Sequence, residues 1–441
     1  MENIDFNATD FLKHYNMDHE QIDMESCCNV FLEDMENGLA EKKSTLEMIP
    51  TYMEAEEDVP TGKKVIVMDA GGTNFRVAVV HFNNNKEAVI EELKLYDMPG
   101  VEKEVSKKEF FATMAEYVSE VIDKSSNIGF CFSYPAEIMP NKDGKLIRFS
   151  KEIKAKQVKG QMIGENLNTA LIPKWCKEPK HIVILNDTVT TLLAGRAAAF
   201  DRTYDSYVGF ILGTGTNTAY IESNKNITKK SGLDPEKSQI INIESGGFGK
   251  GPMGEIDRKF DKSTNNPGEH TFEKMISGAY LGPLIMTTIR QAVKDEIFSE
   301  IGGERLKNIK ELTTKDVNDF LQQPKNGDNP LSAVLIHRTD ELAYLDYGTL
   351  CDITERIVTR AAKLTAINLS SAVLKSGKGQ QPDRPVCIVA EGTTFYKLKD
   401  FQSKVEFYLQ QYLVEQKGRF YEIVSIDNAT LIGSAIAGLT N

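Results

Sequence analysis

Two short glycine-rich turns in the sequence carry hydroxyl and amide side chains and could grip a phosphate. The first, Asp69-Ala70-Gly71-Gly72-Thr73-Asn74, follows the apolar run Val65-Ile66-Val67-Met68 and precedes Phe75-Arg76-Val77-Ala78-Val79-Val80. The second, Gly213-Thr214-Gly215-Thr216-Asn217, follows Tyr207-Val208-Gly209-Phe210-Ile211-Leu212 and precedes Thr218-Ala219-Tyr220-Ile221. Glycine has no Cβ, so backbone N–H groups can come close to an anion, and Thr73 and Asn74 add side-chain donors. Asp69, at the end of a buried strand, could hold water on a Mg²⁺ ion. The plainer reading is a Gly-Gly turn with Asp69 as a turn residue. Two copies of the pattern favour phosphate binding. Neither is a Walker loop, because no Gly-Lys pair is followed by Ser or Thr, and no GxGxxG opens a helix after the first strand.

Asn186-Asp187 ends the strand candidate His181–Leu185 and opens a predicted helix over Thr188 to Phe200. One reading is a helix N-cap. The other is a carboxylate at a strand end, where α/β folds place ligands and the helix dipole favours the ionised form. Such a carboxylate can accept a proton from an alcohol as a phosphoryl group transfers. Ser133-Tyr134-Pro135 ends the strand candidate Ile128–Phe132, Ser150-Lys151 follows, and Glu244 and Glu273 come later. Together these could pair vicinal hydroxyls, but spacing alone does not bring them together. The histidines show no HxxxH or HxxEH arrangement, so no protein-held transition metal is expected. Six cysteines without a CxxC pair read as reduced thiols in a cytoplasm.

The elements that must position these residues alternate between strand and helix, which gives class α/β. Each turn joins two short strands and therefore closes an antiparallel hairpin. The hairpins form a weak internal repeat, which predicts two similar lobes with the turns converging on one cleft. Residues 1–50, 270–300 and 350–375 read as helical, Val386 to Ala390 as a buried strand, and 303–330 as a surface subdomain of short helices and loops. At ~150 residues per domain, 441 residues suggest two or three domains. The 52 basic and 64 acidic residues leave a net charge of −12, which argues against a general nucleic-acid or anionic-membrane surface. No apolar run approaches the ~20 residues of a membrane helix.

Taken in order, these segments resemble the hexokinase family of the eukaryotic type. VIVMDAGGTNFRV (65–77) is similar to its first phosphate motif, and IGFCFSYP (128–135) with LIRFSKEI (146–153) to its sugar-binding segment. ILNDTVTTLLAG (184–195) resembles the catalytic Asn-Asp segment and GFILGTGTNTAYIE (209–222) the second phosphate motif. INIESGGFG (241–249) and NPGEHTFEKMISGAYLG (266–282) resemble the two glutamate segments, and residues 34–52 the lead-in helix and loop.

The resemblance implies a two-lobed actin-like (ribonuclease H-like) α/β fold with a central cleft. A small lobe would comprise 62–187 plus 429–441, and a large lobe 1–61 plus 188–428. It implies transfer of the ATP γ-phosphate to the 6-hydroxyl of a hexose, glucose first, with Asp187 as the base. Ser133, Ser150, Lys151, Asn186, Asn217, Glu244 and Glu273 would bind the sugar. Asp69, Gly71, Gly72, Thr73, Asn74, Arg76, Gly213, Thr214 and Gly215 would address ATP phosphates and Mg²⁺, with Asp69 acting on the ion through water. Gly392, Thr393 and the stretch near Asn428 would approach the adenosine. The implied partners are the hexose and ATP, without nucleic acid or membrane, on a cytoplasmic monomer or homodimer.

The sequence departs from the family pattern at Ser150 (usually Thr), Ser245 (usually Trp), Glu391-Gly392-Thr393 (usually Asp-Gly-Ser) and Asp427-Asn428-Ala429-Thr430 (usually a glycine-rich turn). Rival readings are a kinase for mannose, fructose or an amino sugar, and a weakly catalytic sugar sensor. An actin-like polymerising protein would have no need of Ser133, Lys151 and Glu244. The zinc-binding cysteine cluster of bacterial repressor/kinase sugar proteins is absent from the sequence.

Overall fold

Runs of β-branched and aromatic residues that are apolar at every position must be buried on both faces of a sheet. Val65–Met68, Ile128–Phe132 and Val386–Ala390 meet that description, and all of them are buried central strands. The computed structural model describes residues 7–54, 58–149, 153–198, 202–324, 327–333 and 341–441. Its first large sheet contains β1 (Val65–Gly71), β2 (Asn74–Phe82), β3 (Ala88–Asp97), β4 (Asn127–Phe132) and β5 (His181–Leu185), in the order β3-β2-β1-β4-β5. The second contains β6 (Ser206–Leu212), β7 (Thr216–Ser223), β8 (Ser238–Asn242), β9 (Val386–Glu391) and β10 (Tyr421–Val424), in the order β8-β7-β6-β9-β10. Ile49–Pro50 adds a short strand beyond β8.

The two sheets share one topology. In each, an antiparallel three-strand meander is followed by two strands parallel to its first member. The weak repeat around the turns is thus the sequence trace of a repeat that extends through five strands. Each set also ends in a helix that follows its last parallel strand. Asp187–Ala194 (the site helix) follows β5, and Ala429–Thr440 (the C-terminal helix) follows β10.

These two helices lie between the sheets. The site helix packs on β6, β7 and β9, and the C-terminal helix packs on β1 and β4. They cross at Gly433, where any side chain would run into the backbone carbonyl of Thr190. One continuous core therefore joins Val65, Val67 and Val183 of the first sheet to Ala219 and Ile240 of the second, through Leu192, Leu193, Leu431 and Ile436 of the helices.

The N-terminal helices are Ala8–His14 and Met24–Leu39, the second capped by Asp23. Phe31 packs against Phe248 with tilted rings whose centroids are 4.3 Å apart, anchoring the second helix to the larger core. The helix expected over 188–200 ends earlier. It runs to Ala194 and tightens into a 3₁₀ turn at Gly195–Ala198, and residues 199–200 lie outside the described residues. Residues 303–330 need correction too. Short helices do occur there, at Glu300–Lys307 and Thr314–Gln322, but they are not a peripheral subdomain. Leu306, Val317, Phe320 and Leu321 are buried in the main core. The last three sit at i, i+3 and i+4, a helical apolar stripe that polar neighbours hid from a composition-based reading. Among the described residues, no helix is long and apolar enough to cross a membrane.

Candidate active site

The site helix begins at a strand end and is tied down there by its own side chains. Asn186 is the N-cap, and its Oδ1 accepts the Thr188 N–H at 2.9 Å. The same N–H reaches Asp187 Oδ1 at 2.9 Å. The Thr190 and Thr191 hydroxyls donate to the Asp187 carbonyl at 2.6 and 2.9 Å. These bonds show the helix cap itself, with Asn186 as the N-cap and Asp187 as the first helical residue. A helix N-terminus favours a negative charge at that position.

A polar cluster stands beside it. Asn217 on β7 donates to Asn242 Oδ1 at 2.8 Å, to Glu244 Oε1 at 3.2 Å and to Asn186 Oδ1 at 3.4 Å. Asn242 donates to the same Glu244 oxygen at 2.8 Å. Glu244 has φ +56°, an uncommon conformation for a residue with a side chain. Desolvation pushes its carboxyl up to about 7, the charges of Glu47 and Asp187 add to this, and the Asn242 hydrogen bond opposes it. Glu273 accepts the Thr216 N–H at 2.9 Å, and burial raises its carboxyl as well. A Cβ on Gly215 would stand 2.6 Å from Glu273 Oε2, so a side chain there would displace that carboxylate.

Below this cluster, Ser245 is buried and its hydroxyl lies 3.1 Å from that of Thr218, which accepts from Asn368 Nδ2 at 2.7 Å. The position where the resemblance leads one to expect Trp is thus built into a hydroxyl–amide network.

The first turn, in hairpin β1–β2, is tight. Gly71 pairs with Asn74, and Gly72 has φ +64°. The Gly72 carbonyl accepts from Tyr134 Oη and the Thr73 carbonyl from Met98 N, both at 2.9 Å. Asp69 Oδ2 accepts from Arg76 Nε at 2.9 Å, from Arg76 Nη2, and from Thr430 Oγ1 at 3.1 Å. The second turn, between β6 and β7, accepts the Gly278 N–H at 2.8 Å and the Thr394 hydroxyl at 2.8 Å on Gly213 O, and the Ala279 N–H at 3.0 Å on Thr214 O.

Glu391 ends β9 opposite Ile211. Burial lifts its carboxyl to about 7, with contributions from the negative charges of Asp187 and Asp69, and Arg76 opposes them. It therefore sits between residues of both sheets.

The structure joins Asn186, Asn217 and Glu244 in one hydrogen-bonded cluster next to Asp187, holds Glu273 against the second turn, and sets Asp69 on the strand that leads into the first turn. Ser133 lies beside that first turn, with its N–H on Ala70 O at 3.0 Å and its Oγ 3.4 Å from the place of a Gly71 Cβ. Gly392 (φ +113°) follows Glu391 and faces Gly213, while Thr393 is exposed and opens a short helix. Asn428 is the N-cap residue of the C-terminal helix. Ser150 and Lys151 lie outside the described residues. Sequence reasoning missed Asn242, Thr430 and Tyr134. Asn242 had a signal, since it stands two residues before Glu244 at a strand end, and alternate residues of an extended chain share a face. Thr430 is remote from Asp69 in sequence and had none.

Two family models, both described as hexokinase, match residues 7–197 and 207–440. Hexokinase-7 of rice is 28% identical over 431 residues, covering 91% of this chain and 90% of that protein. The hexokinase of Schistosoma mansoni is 32% identical over 320 residues, 69% of each chain. Human hexokinase-2 is 28% identical over 395 residues, but these are only 42% of its length, so this chain spans about two fifths of that relative. Among solved structures, hexokinase from Schistosoma mansoni complexed with glucose superposes with a TM-score of 0.77 at 25% identity, covering 99% of this chain and 100% of that one. These neighbours share the two-lobed actin-like α/β fold. Matches over both halves of the chain make it a member of the hexokinase family.

Proposed function

We propose that this chain is a hexose kinase that transfers the γ-phosphate of ATP to the 6-hydroxyl of a hexose, with glucose as first choice. The observation that carries this reading is the place of Asp187. It stands at a helix N-terminus next to Asn186, which bonds to a polar cluster of Asn217, Asn242 and Glu244 that would pair sugar hydroxyls. Asp187 would orient the 6-hydroxyl and take its proton. Ser133, Asn186, Asn217, Glu244 and Glu273 would pair the other hydroxyls, with Ser150 and Lys151 completing the set. A site built to satisfy several hydroxyls rejects ligands that lack them, because its buried polar groups would go unpaired.

Asp69, Gly71, Gly72, Thr73, Asn74, Arg76, Gly213, Thr214 and Gly215 would address the phosphates, and Gly392 and Thr393 the adenosine. The ion implied beside the phosphates is Mg²⁺, which takes oxygen ligands and keeps several of its waters. Asp69 would hold the ion through water, and the bound ion would neutralise phosphate charge. The two lobes, 62–187 with 429–441 and 1–61 with 188–428, would close on the sugar and exclude water. The preference for glucose draws on the glucose complex of the Schistosoma relative.

The test is ADP release with glucose, mannose and fructose, each with ATP and with GTP. Turnover with glucose and ATP supports the reading. Sugar binding without turnover on any of the three would overturn it in favour of a sensor.

A further inference from the structure

The sugar segment and the first phosphate turn are bonded to each other. Ser133 N–H donates to Ala70 O at 3.0 Å, and the next residue, Tyr134, donates its hydroxyl to Gly72 O at 2.9 Å. Tyr134 is buried, with its ring 4.9 Å from that of Phe132 and 5.1 Å from that of Phe149. It belongs to no group that the proposed chemistry uses, yet it is the side chain that fixes the turn.

A trans peptide points its C=O and N–H in opposite directions. Holding Gly72 O against Tyr134 therefore aims the Thr73 N–H away from Tyr134. Gly72 has φ +64° and no Cβ, so this peptide unit has little intrinsic resistance to rotation. The neighbouring Thr73 carbonyl is fixed separately, by Met98 N.

We propose that Tyr134 is a positioning residue. Its hydroxyl locks the Gly72–Thr73 peptide with the Thr73 amide aimed at the nucleotide phosphates, and it ties that turn to the segment that carries Ser133. The inference rests on the nucleotide reading given above and adds a residue to it.

The variant Tyr134→Phe keeps the ring in its apolar pocket and removes only the oxygen. Affinity for a non-hydrolysable ATP analogue, measured by calorimetry in the presence of sugar, should weaken roughly three- to tenfold, the range of one hydrogen bond. KM for ATP should rise in parallel, and sugar affinity without nucleotide should stay within about twofold. Tyr421→Phe is the control. Tyr421 Oη also donates to a backbone carbonyl, that of Glu406, at the far end of the second sheet. It should leave both affinities unchanged.

An ATP-analogue affinity that moves less than about twofold overturns the proposal. So does an equal loss for sugar and nucleotide, or the same loss in Tyr421→Phe, because either would mark a general structural effect. The binding measurement stands without turnover. A wild-type chain that binds the analogue but phosphorylates no hexose would sink the function and leave the role of Tyr134 still to be read from binding.

Discussion

The two glycine turns look alike in sequence and are held in different ways. The first is a two-residue turn whose carbonyls are tied to its own lobe, one by a tyrosine side chain and one by a backbone amide. The second is a three-residue loop clasped by Gly278, Ala279 and Thr394, with Glu273 packed against Gly215. Removing one side-chain oxygen would free the Gly72 carbonyl of the first and leave only the Thr73 carbonyl held, by Met98 N. The second can move only if a neighbouring loop, a helix start and a carboxylate move with it. The first turn is therefore the adaptable partner and the second the fixed one, although a motif search would rate them equal.

The largest effect expected near these turns lies between them. Asp187→Asn should lower kcat by about 10²–10⁴ while leaving the melting temperature nearly unchanged. A fall below about tenfold would remove Asp187 as the base, and with it the reason for both turns to converge there. Next, the two turns should differ in tolerance. Gly215→Ala forces Glu273 away from Thr216, so kcat/KM for the sugar should drop more than about tenfold, with a stability loss of ~1–3 kcal/mol in denaturant titrations.

In the first turn, Gly72→Ala costs ~1–2 kcal/mol of left-handed strain, and Gly72→Asn should recover much of the activity because Asn tolerates that conformation. If Gly72→Ala proves as damaging to sugar turnover as Gly215→Ala, the distinction between a fixed and an adaptable turn fails. The smallest effect should come from Thr430→Ala. It removes one of several partners of Asp69, and KM for ATP should rise about two- to fivefold.

Acidity divides the same two regions. Glu244 and Glu391 both lie at or beyond strand ends of the second sheet, and both carboxyls are raised to about 7. A carboxyl raised on folding binds more protons in the native state than in the unfolded one between its two pKa values. Its contribution to stability is thus fully present below the unfolded value of 4.5 and is lost as pH rises through about 7. Melting temperatures measured from pH 4 to 8, roughly spanning that window, should show the decline, and Glu244→Gln should reduce its slope, leaving the share of Glu391. An unchanged slope would mean that Glu244 is already ionised in the cleft.

Most of the fold was legible because burial leaves a local trace. The runs at 65–68, 128–132 and 386–390 were readable as strands, and the two turns as hairpins. The topology common to both sheets was only hinted at, since strands such as β8 and β10 are short and their pairing is decided by distant partners. The site was legible where a motif is contiguous, as at Asn186-Asp187. It was not legible where two remote segments share one oxygen, as Thr430 and Arg76 do on Asp69. The stretch 303–330 misled because its polar residues outnumber the few apolar ones that anchor it.

The site helix is only eight residues long, yet it carries Asp187, the proposed base, at one end and crosses its counterpart at Gly433 along its body. A rotation of one sheet against the other would have to turn about that crossing. The carboxylate would swing with it, so a half-open molecule would hold its proton acceptor at the wrong angle. If Asp187 is the base, premature loss of phosphate to solvent would then be resisted by misalignment as well as by a shut door.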